Sequence, residues 1–223
     1  MNTKPFCLWF VLSVLFPLIP LSAQSADWVT ASDRRLDPDI IAILDTADFE
    51  QSLEIMRALG KREEPFAGDI MLHLYAAAHG PARYKYAALL ETLLSSLFAP
   101  SVPEAAFGRR YSANRSALQT LITDIPHIKS PGLKRELISI ITRAGDDRYR
   151  TILAAETEKL AGVLRVKNGN LDIETARELL TLLQGIEKLR ITECVDQCND
   201  VARYANNRDM VKLARKVAAA LLR

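Results

Sequence analysis

Two cysteines on one apolar helical stripe have the spacing that most directly suggests chemistry. Cys194 and Cys198 are four residues apart, so on an α-helix each stands one turn from the other. Their expected Cα separation of about 6 Å suits a disulfide, but nearly parallel Cβ directions would strain the bridge. Neither a nearby histidine nor a second cysteine motif supports a metal site. Because Val195 and Val201 share the stripe, we predict two buried core residues, with a local or intermolecular disulfide and a redox or metal role as alternatives.

A second group of residues suited to recognition follows a proline-bearing break in the chain. It consists of Arg109, Arg110, Tyr111 and Arg115. No apolar period runs through these residues, so we expect a loop, and loops often carry binding residues. Arginine and tyrosine are also favoured in interface contacts. The four side chains are our predicted partner-binding residues.

The histidines and carboxylates do not form a recognisable catalytic pattern. His79 and His127 are far apart in the sequence, and His79 precedes a Gly-Pro pair, where a cation would suit a helix C-terminus. Asp146 and Asp172 lie at predicted helix starts, where negative charge favours the helix dipole. We therefore predict no catalytic, cofactor-binding or metal-binding residues, and a protein that is not an enzyme.

Apolar residues recur at steps of three and four along most of the chain, which indicates helices. The clearest example joins the stripe of Cys194 and Cys198 to a second stripe from Met210 to Leu221, across the polar pair Asn206-Asn207. Such a pair can end one helix or cap the next. With only 9 Gly and 10 Pro in 223 residues, the sequence predicts an all-α fold of about ten short helices.

Caps and breaks divide these helices without separating independent domains. Asp37-Pro38 and Ser130-Pro131 are typical helix starts, whereas Gly60 and Gly145 suit helix ends. A proline-bearing stretch at 99–103 is a candidate break between two lobes. Because that stretch is short, we predict a single helical domain over residues 37–223.

Part of the chain resembles the HEAT and armadillo family of helical repeats. A small or aliphatic residue followed by a base occurs at Leu133-Lys134, Ala176-Arg177 and Val211-Lys212, near that family's period of about 40 residues. The segment 211–214 looks like the second helix of the repeat, and the resemblance covers residues 130–222. It implies an irregular α-solenoid of stacked antiparallel helix hairpins. A compact irregular helical domain is the alternative.

The N-terminal segment has the features of a secretory signal. Lys4 precedes an uncharged apolar run, and small residues around Ala23 would suit a signal peptidase. The run of about 16 residues, interrupted by two prolines, is short for a bilayer, which needs about 20. We predict a cleaved signal peptide at 1–23, a flexible lead-in at 24–36 and a periplasmic or secreted protein without a stable membrane span. An uncleaved N-terminal membrane anchor is the alternative.

Charge and architecture together limit the expected function. A formal net charge of +2 gives no basis for nucleic-acid binding, which relies on many clustered cations. A helical stack offers an extended surface, so we predict a non-enzymatic exported scaffold that binds a protein or peptide, without a cofactor. The alternative is an enzyme that acts on an envelope polymer through carboxylates brought together by folding.

Overall fold

The computed structural model describes residues 48–62, 67–80 and 83–223, all of which belong to one compact unit. Every regular element in these ranges is helical, which confirms the all-α prediction. The predicted signal peptide, the lead-in and the Asp37-Pro38 helix start lie outside the described residues. The described residues form ten α-helices, which are α1 (Phe49–Arg62), α2 (Ala67–Ala77), α3 (Arg83–Leu97), α4 (Glu104–Ala113), α5 (Arg115–Thr123), α6 (Pro131–Ala144), α7 (Arg150–Val166), α8 (Ile173–Leu189), α9 (Val195–Tyr204) and α10 (Arg208–Leu221).

The helix ends follow local sequence chemistry. Ser130 accepts a hydrogen bond from the Leu133 amide at the start of α6, and Gly145 ends that helix in the left-handed conformation. Asp172 caps α8 in the same way, and Asn207 caps α10. Side chains of this kind satisfy amide groups that lack partners in the first helical turn. The predicted caps at Ser130, Gly145, Asp172 and Asn207 are therefore confirmed.

Each helix packs against helices that are near it in the sequence. Helix α3 contacts α1, α2 and α6; helix α8 contacts α6, α7 and α10; and α9 contacts α7 and α10. Helix α2 also packs on α5. Leucine and isoleucine dominate the core, and in the last two helices the buried positions follow the predicted stripes, including Val201, Met210, Ala214 and Val217.

Gly60 differs from its predicted role as a helix end. Helix α1 continues to Arg62, and Gly60 lies within it, buried against α3. A Cβ atom at Gly60 would lie only 2.5 Å from the Ser96 Cβ and 2.8 Å from the Leu97 amide nitrogen. Glycine is therefore required at this position because the two helix backbones approach closely.

Arg143 connects helix α6 to the segment 99–103 through several contacts. Its guanidinium, on α6, donates to the Ala99 and Val102 carbonyls, pairs with Glu104 and lies 4.4 Å above the centre of the Phe107 ring. One partly buried side chain thus contacts both ends of the proline-bearing stretch. No helix in the described ranges combines the length and apolar character needed to cross a membrane.

Candidate binding site

The predicted partner-binding residues are helical, so the loop expectation for them is wrong. Arg109, Arg110 and Tyr111 lie in α4, and Arg115 is the first residue of α5. Helix α4 is short and buries only Ala106 and Phe107, which explains why its apolar period is hard to recognise. Arg109 and Arg115 are exposed, whereas Arg110 and Tyr111 are only partly exposed.

Arg110 and Tyr111 make contacts within the fold. Arg110 donates a hydrogen bond to the Leu97 carbonyl over 2.6 Å, at the end of α3. Tyr111 donates to Asp146 over 2.8 Å, and Asp146 also pairs with Arg148. The structure therefore gives Arg110 and Tyr111 positions that stabilise the connections between helices. Of the predicted set, Arg109 and Arg115 are the two residues classed as exposed.

Both cysteines occupy the core. Cys194 ends the short 3-10 turn before α9, Cys198 lies within α9, and neither side chain has any exposed surface. The two are free thiols in the structure. Burial raises the pKa of Cys194 to about 11 and the pKa of Cys198 to about 12. Their thiols are therefore protonated at neutral pH, which suits core packing and disfavours nucleophilic or metal-binding roles.

The structure instead brings several recognition residues together around the segment 124–130. A cleft of about 160 Å³ lies between this segment and the adjoining parts of α2, α3 and α6. Its apolar surface comes from Ala78, Ala87, Ile128 and Leu133. Aromatic and basic side chains surround that surface, namely Tyr75, His79, Arg83, Tyr84, His127 and Lys129.

Asp124 organises one edge of this cleft. The Tyr75 hydroxyl donates to its carboxylate, the His127 Nδ1 lies 2.9 Å from Oδ1, and the His79 Nε2 lies 3.9 Å from Oδ2. The other His79 ring nitrogen lies 2.9 Å from the Tyr75 carbonyl, near the end of α2. Burial and the hydrogen bond to Asp124 raise the pKa of Tyr75. Asp124 therefore fixes Tyr75 and both histidines at the cleft edge.

Tyr84 forms the exposed part of the opposite edge. Its side chain is 73% exposed, although Arg83 donates a hydrogen bond to its hydroxyl and lies 4.8 Å from its ring centre. Tyrosine can contribute a large contact area while losing little conformational entropy on binding. Tyr84 is therefore the residue at this cleft best placed to contact a partner.

A buried group of charges lies on the other side of the segment 124–130. Lys134, Glu156 and Glu178 come from α6, α7 and α8 and are 6%, 2% and 3% exposed. Lys134 bonds to Glu156 and lies 3.7 Å from Glu178, while Lys159 lies 3.0 Å from Glu156. Burial raises the pKa of Glu178, and the charge of Lys134 opposes that rise. We call the three buried residues, together with the half-exposed Lys159 that borders them, the buried charge cluster.

No motif in the sequence marks the buried charge cluster as a site. Lys134 and Glu156 occupy positions on apolar helical stripes, because each lies three residues from a buried leucine, Leu137 and Leu153 respectively. Charged residues at such positions are rarely buried unless they are paired. That conflict between charge and periodicity is the signal that could have identified them.

The described part of the chain contains no group of three or more His, Cys, Asp or Glu side chains arranged to hold a metal ion. The chain matches no protein-family model, and no significant similarity to a curated protein or a solved structure is found.

Proposed function

We propose that this chain is a non-enzymatic interaction protein that binds a protein or peptide segment in the cleft beside residues 124–130. The observation that carries the proposal is an apolar cleft surface bordered by Tyr84, Arg83 and Lys129. Such a combination is typical of recognition sites, in which aromatic side chains supply contact area and a few polar groups fix orientation.

The order of helix contacts supports a stack of helix hairpins as the scaffold. Helices α3, α6, α8 and α10 contact one another in succession. Helices α2, α7 and α9 each pack against the helix that follows them, as α5 does against α6. This order is the one expected for the HEAT-like α-solenoid, in which a continuous core forms between neighbouring hairpins.

Charge at the cleft indicates the chemistry of the ligand. Arg83 and Lys129 carry positive charges at the border of the cleft. Asp124, the carboxylate that contacts Tyr75 and the two histidines at the cleft edge, is already engaged with them. We therefore infer that the bound segment carries an apolar side chain flanked by acidic residues.

The proposed location is the periplasm or the extracellular space, on the basis of the signal-like segment at 1–23. N-terminal sequencing of the protein isolated from producing cells tests this proposal. A mature chain that starts near residue 24 supports export, whereas an intact Met1 in a membrane fraction supports the anchor alternative.

Selection from a random peptide library tests the proposed ligand chemistry. The purified protein should enrich peptides that contain an apolar residue next to Asp or Glu. The Tyr84→Ala variant should lose most of this enrichment. Tyr204→Ala is the matched control, because Tyr204 also lies beside an arginine, Arg203, but outside the cleft. Failure to enrich any common pattern, or equal enrichment by Tyr84→Ala, contradicts the proposal.

A pair of partly buried carboxylates favours the enzymatic alternative. Burial raises the pKa of both Glu91 and Glu136, and Arg135 opposes the rise in each. The charge of Glu91 raises the pKa of Glu136 further. Carboxyl groups with raised pKa values can act as general acids at neutral pH. Release of soluble fragments from purified cell-wall polymer, abolished by Glu136→Gln, would establish this alternative.

A further inference from the structure

The chain just before α1 has the chemistry inferred for the ligand of the cleft beside residues 124–130. Residues 37–48 contain four aspartates and no lysine, arginine or histidine. They also contain four large aliphatic residues, in a run bounded by Asp39 and Asp45. An apolar run with acidic flanks therefore lies directly before the described part of the chain, which begins at Asp48.

The cleft has positive charges that complement those aspartates. Arg83 at the start of α3 and Lys129 on the segment 124–130 line the cleft, and both are exposed. No carboxylate in the described part of the chain forms an ion pair with either side chain. Opposite charges at the border of an interface favour association and fix the orientation of the bound segment. Residues 37–48 are therefore electrostatically complementary to the cleft.

The described chain also begins near the part of α3 that lines the cleft. Gly60, near the end of α1, lies against Ser96 and Leu97 at the end of α3. Because α1 packs along α3 with these ends together, the two helices run parallel and their first turns also lie side by side. Asp48 accepts a hydrogen bond from the Glu50 amide at the start of α1. Asp48 therefore lies beside the first turns of α3.

The residues before Asp48 are numerous enough to reach the cleft. Helix α1 and the cleft lie on different sides of α3, so the chain must cross a helix about 10 Å wide. Ile41 precedes Asp48 by seven residues, and an extended chain of that length spans about 23 Å. Because this length exceeds the width of α3, the aliphatic residues can reach the apolar surface of the cleft.

We propose that residues 39–45 bind in the cleft of their own chain, with the aliphatic run on the apolar surface and the flanking aspartates toward Arg83 and Lys129. This assignment, which rests on the proposed function, gives the same site a competing occupant. A peptide from outside must displace the segment, so its apparent affinity falls in proportion to the fraction of molecules with a free cleft. Part of the chain thus regulates access to the binding site.

Cross-linking of the purified protein with a carbodiimide tests the contact. The reagent joins an amine directly to a carboxylate, so the two groups must touch. We expect a bond between Lys129 and an aspartate of residues 37–48, located by mass spectrometry after proteolysis. Lys167, exposed at the end of α7 and outside the cleft, is the matched control and should give no such bond. Equal amounts of isotopically labelled and unlabelled protein should give cross-linked peptides with one label only, because the contact lies within one chain.

The affinity for a peptide selected from the library tests the competition. If the segment fills the cleft in about nine-tenths of the molecules, replacing both Ile40 and Ile41 with serine should strengthen peptide binding about tenfold. A gain of at least about threefold is expected. Ile173→Ser is the matched control, because Ile173 is an isoleucine that is 70% exposed and outside the cleft, and it should leave the affinity unchanged.

Three results would overturn the proposal. The first is the absence of any bond between Lys129 and residues 37–48. The second is that such bonds join only labelled to unlabelled molecules, which would indicate exchange of the segment between copies. The third is unchanged peptide affinity in the double variant of Ile40 and Ile41 when its circular dichroism spectrum is unchanged.

These outcomes are distinct from failure of the proposed function. Peptide binding that depends on Tyr84, in a protein without the cross-link, supports the proposed function and overturns the self-binding of residues 39–45. The cross-link in a protein that binds no outside peptide supports the self-binding and contradicts the proposed function.

Discussion

Replacement of Lys134 by methionine tests the role of the buried charge cluster in stability. Methionine keeps most of the aliphatic stem, so the main loss is the ammonium group between Glu156 and Glu178. After this change Glu156 still forms an ion pair with Lys159 over 3.0 Å, whereas Glu178 loses its ion pair with Lys134. Removing one member of a buried ion pair costs about 3–5 kcal/mol. Because one carboxylate remains paired, we expect the lower end, about 3 kcal/mol of unfolding free energy.

The pH dependence of this effect has a definite sign. Burial already raises the pKa of Glu178, and removal of the Lys134 charge should raise it further. A carboxyl group whose folded-state pKa is raised destabilises the fold at pH values above that pKa, and the penalty disappears as it is protonated. The destabilisation by Lys134→Met should therefore be smaller at pH 5 than at pH 8, by about 1.4 kcal/mol for each unit of further pKa rise that lies in that window.

Urea denaturation followed by far-ultraviolet circular dichroism at both pH values measures these changes. Lys212→Met on the exposed face of α10 is the matched control and should change stability by less than about 0.5 kcal/mol. Adding Glu178→Gln to Lys134→Met should recover about 1 kcal/mol or more, since it removes the carboxylate left unpaired. A stabilising role for the Lys134 ammonium would be refuted by a loss of less than about 1 kcal/mol in Lys134→Met, or by a loss that is larger at pH 5 than at pH 8.

Three further predictions concern other parts of the fold. Gly60→Ala should lower the free energy of unfolding by about 1–3 kcal/mol, because helices α1 and α3 approach closely at this position. Gly162 has open space around it within α7, so Gly162→Ala should raise the free energy of unfolding by about 0.5–1 kcal/mol in the same urea denaturation. Stability changes of the same sign in both variants would contradict this packing. Arg148 and Tyr111 lower the pKa of Asp146, so stability should fall as the pH drops below about 4 and Asp146→Asn should reduce that fall. Cys194 and Cys198 should react with a thiol reagent at neutral pH only after unfolding; rapid reaction of the native protein would show that they are accessible.

The helices and their ends could be predicted from the sequence because both depend on local chemistry. Ser130 and Asp172 cap helices through bonds to amides three residues away. The stripe of Cys198 and Val201 in α9 and the stripe of Met210 and Ala214 in α10 likewise follow from helical periodicity and burial. Information of this kind is contained within a single turn or a single helix.

The candidate sites could not be predicted in this way because they depend on packing between distant segments. Tyr75 meets Asp124 only because α2 packs on α5, and these two residues are 49 positions apart. Lys134 and Glu156 are 22 positions apart and meet between α6 and α7. Gly60 suits a helix end by residue type, and only the approach of α3 explains its place inside α1.

The affinity of a selected peptide for three forms of the protein tests the proposed function most directly. The peptide would come from the library selection and carry an apolar residue beside acidic ones. We predict micromolar binding to the wild-type protein and to Tyr204→Ala, and at least about tenfold weaker binding to Tyr84→Ala. Equal affinity for all three proteins would contradict binding at the cleft beside residues 124–130.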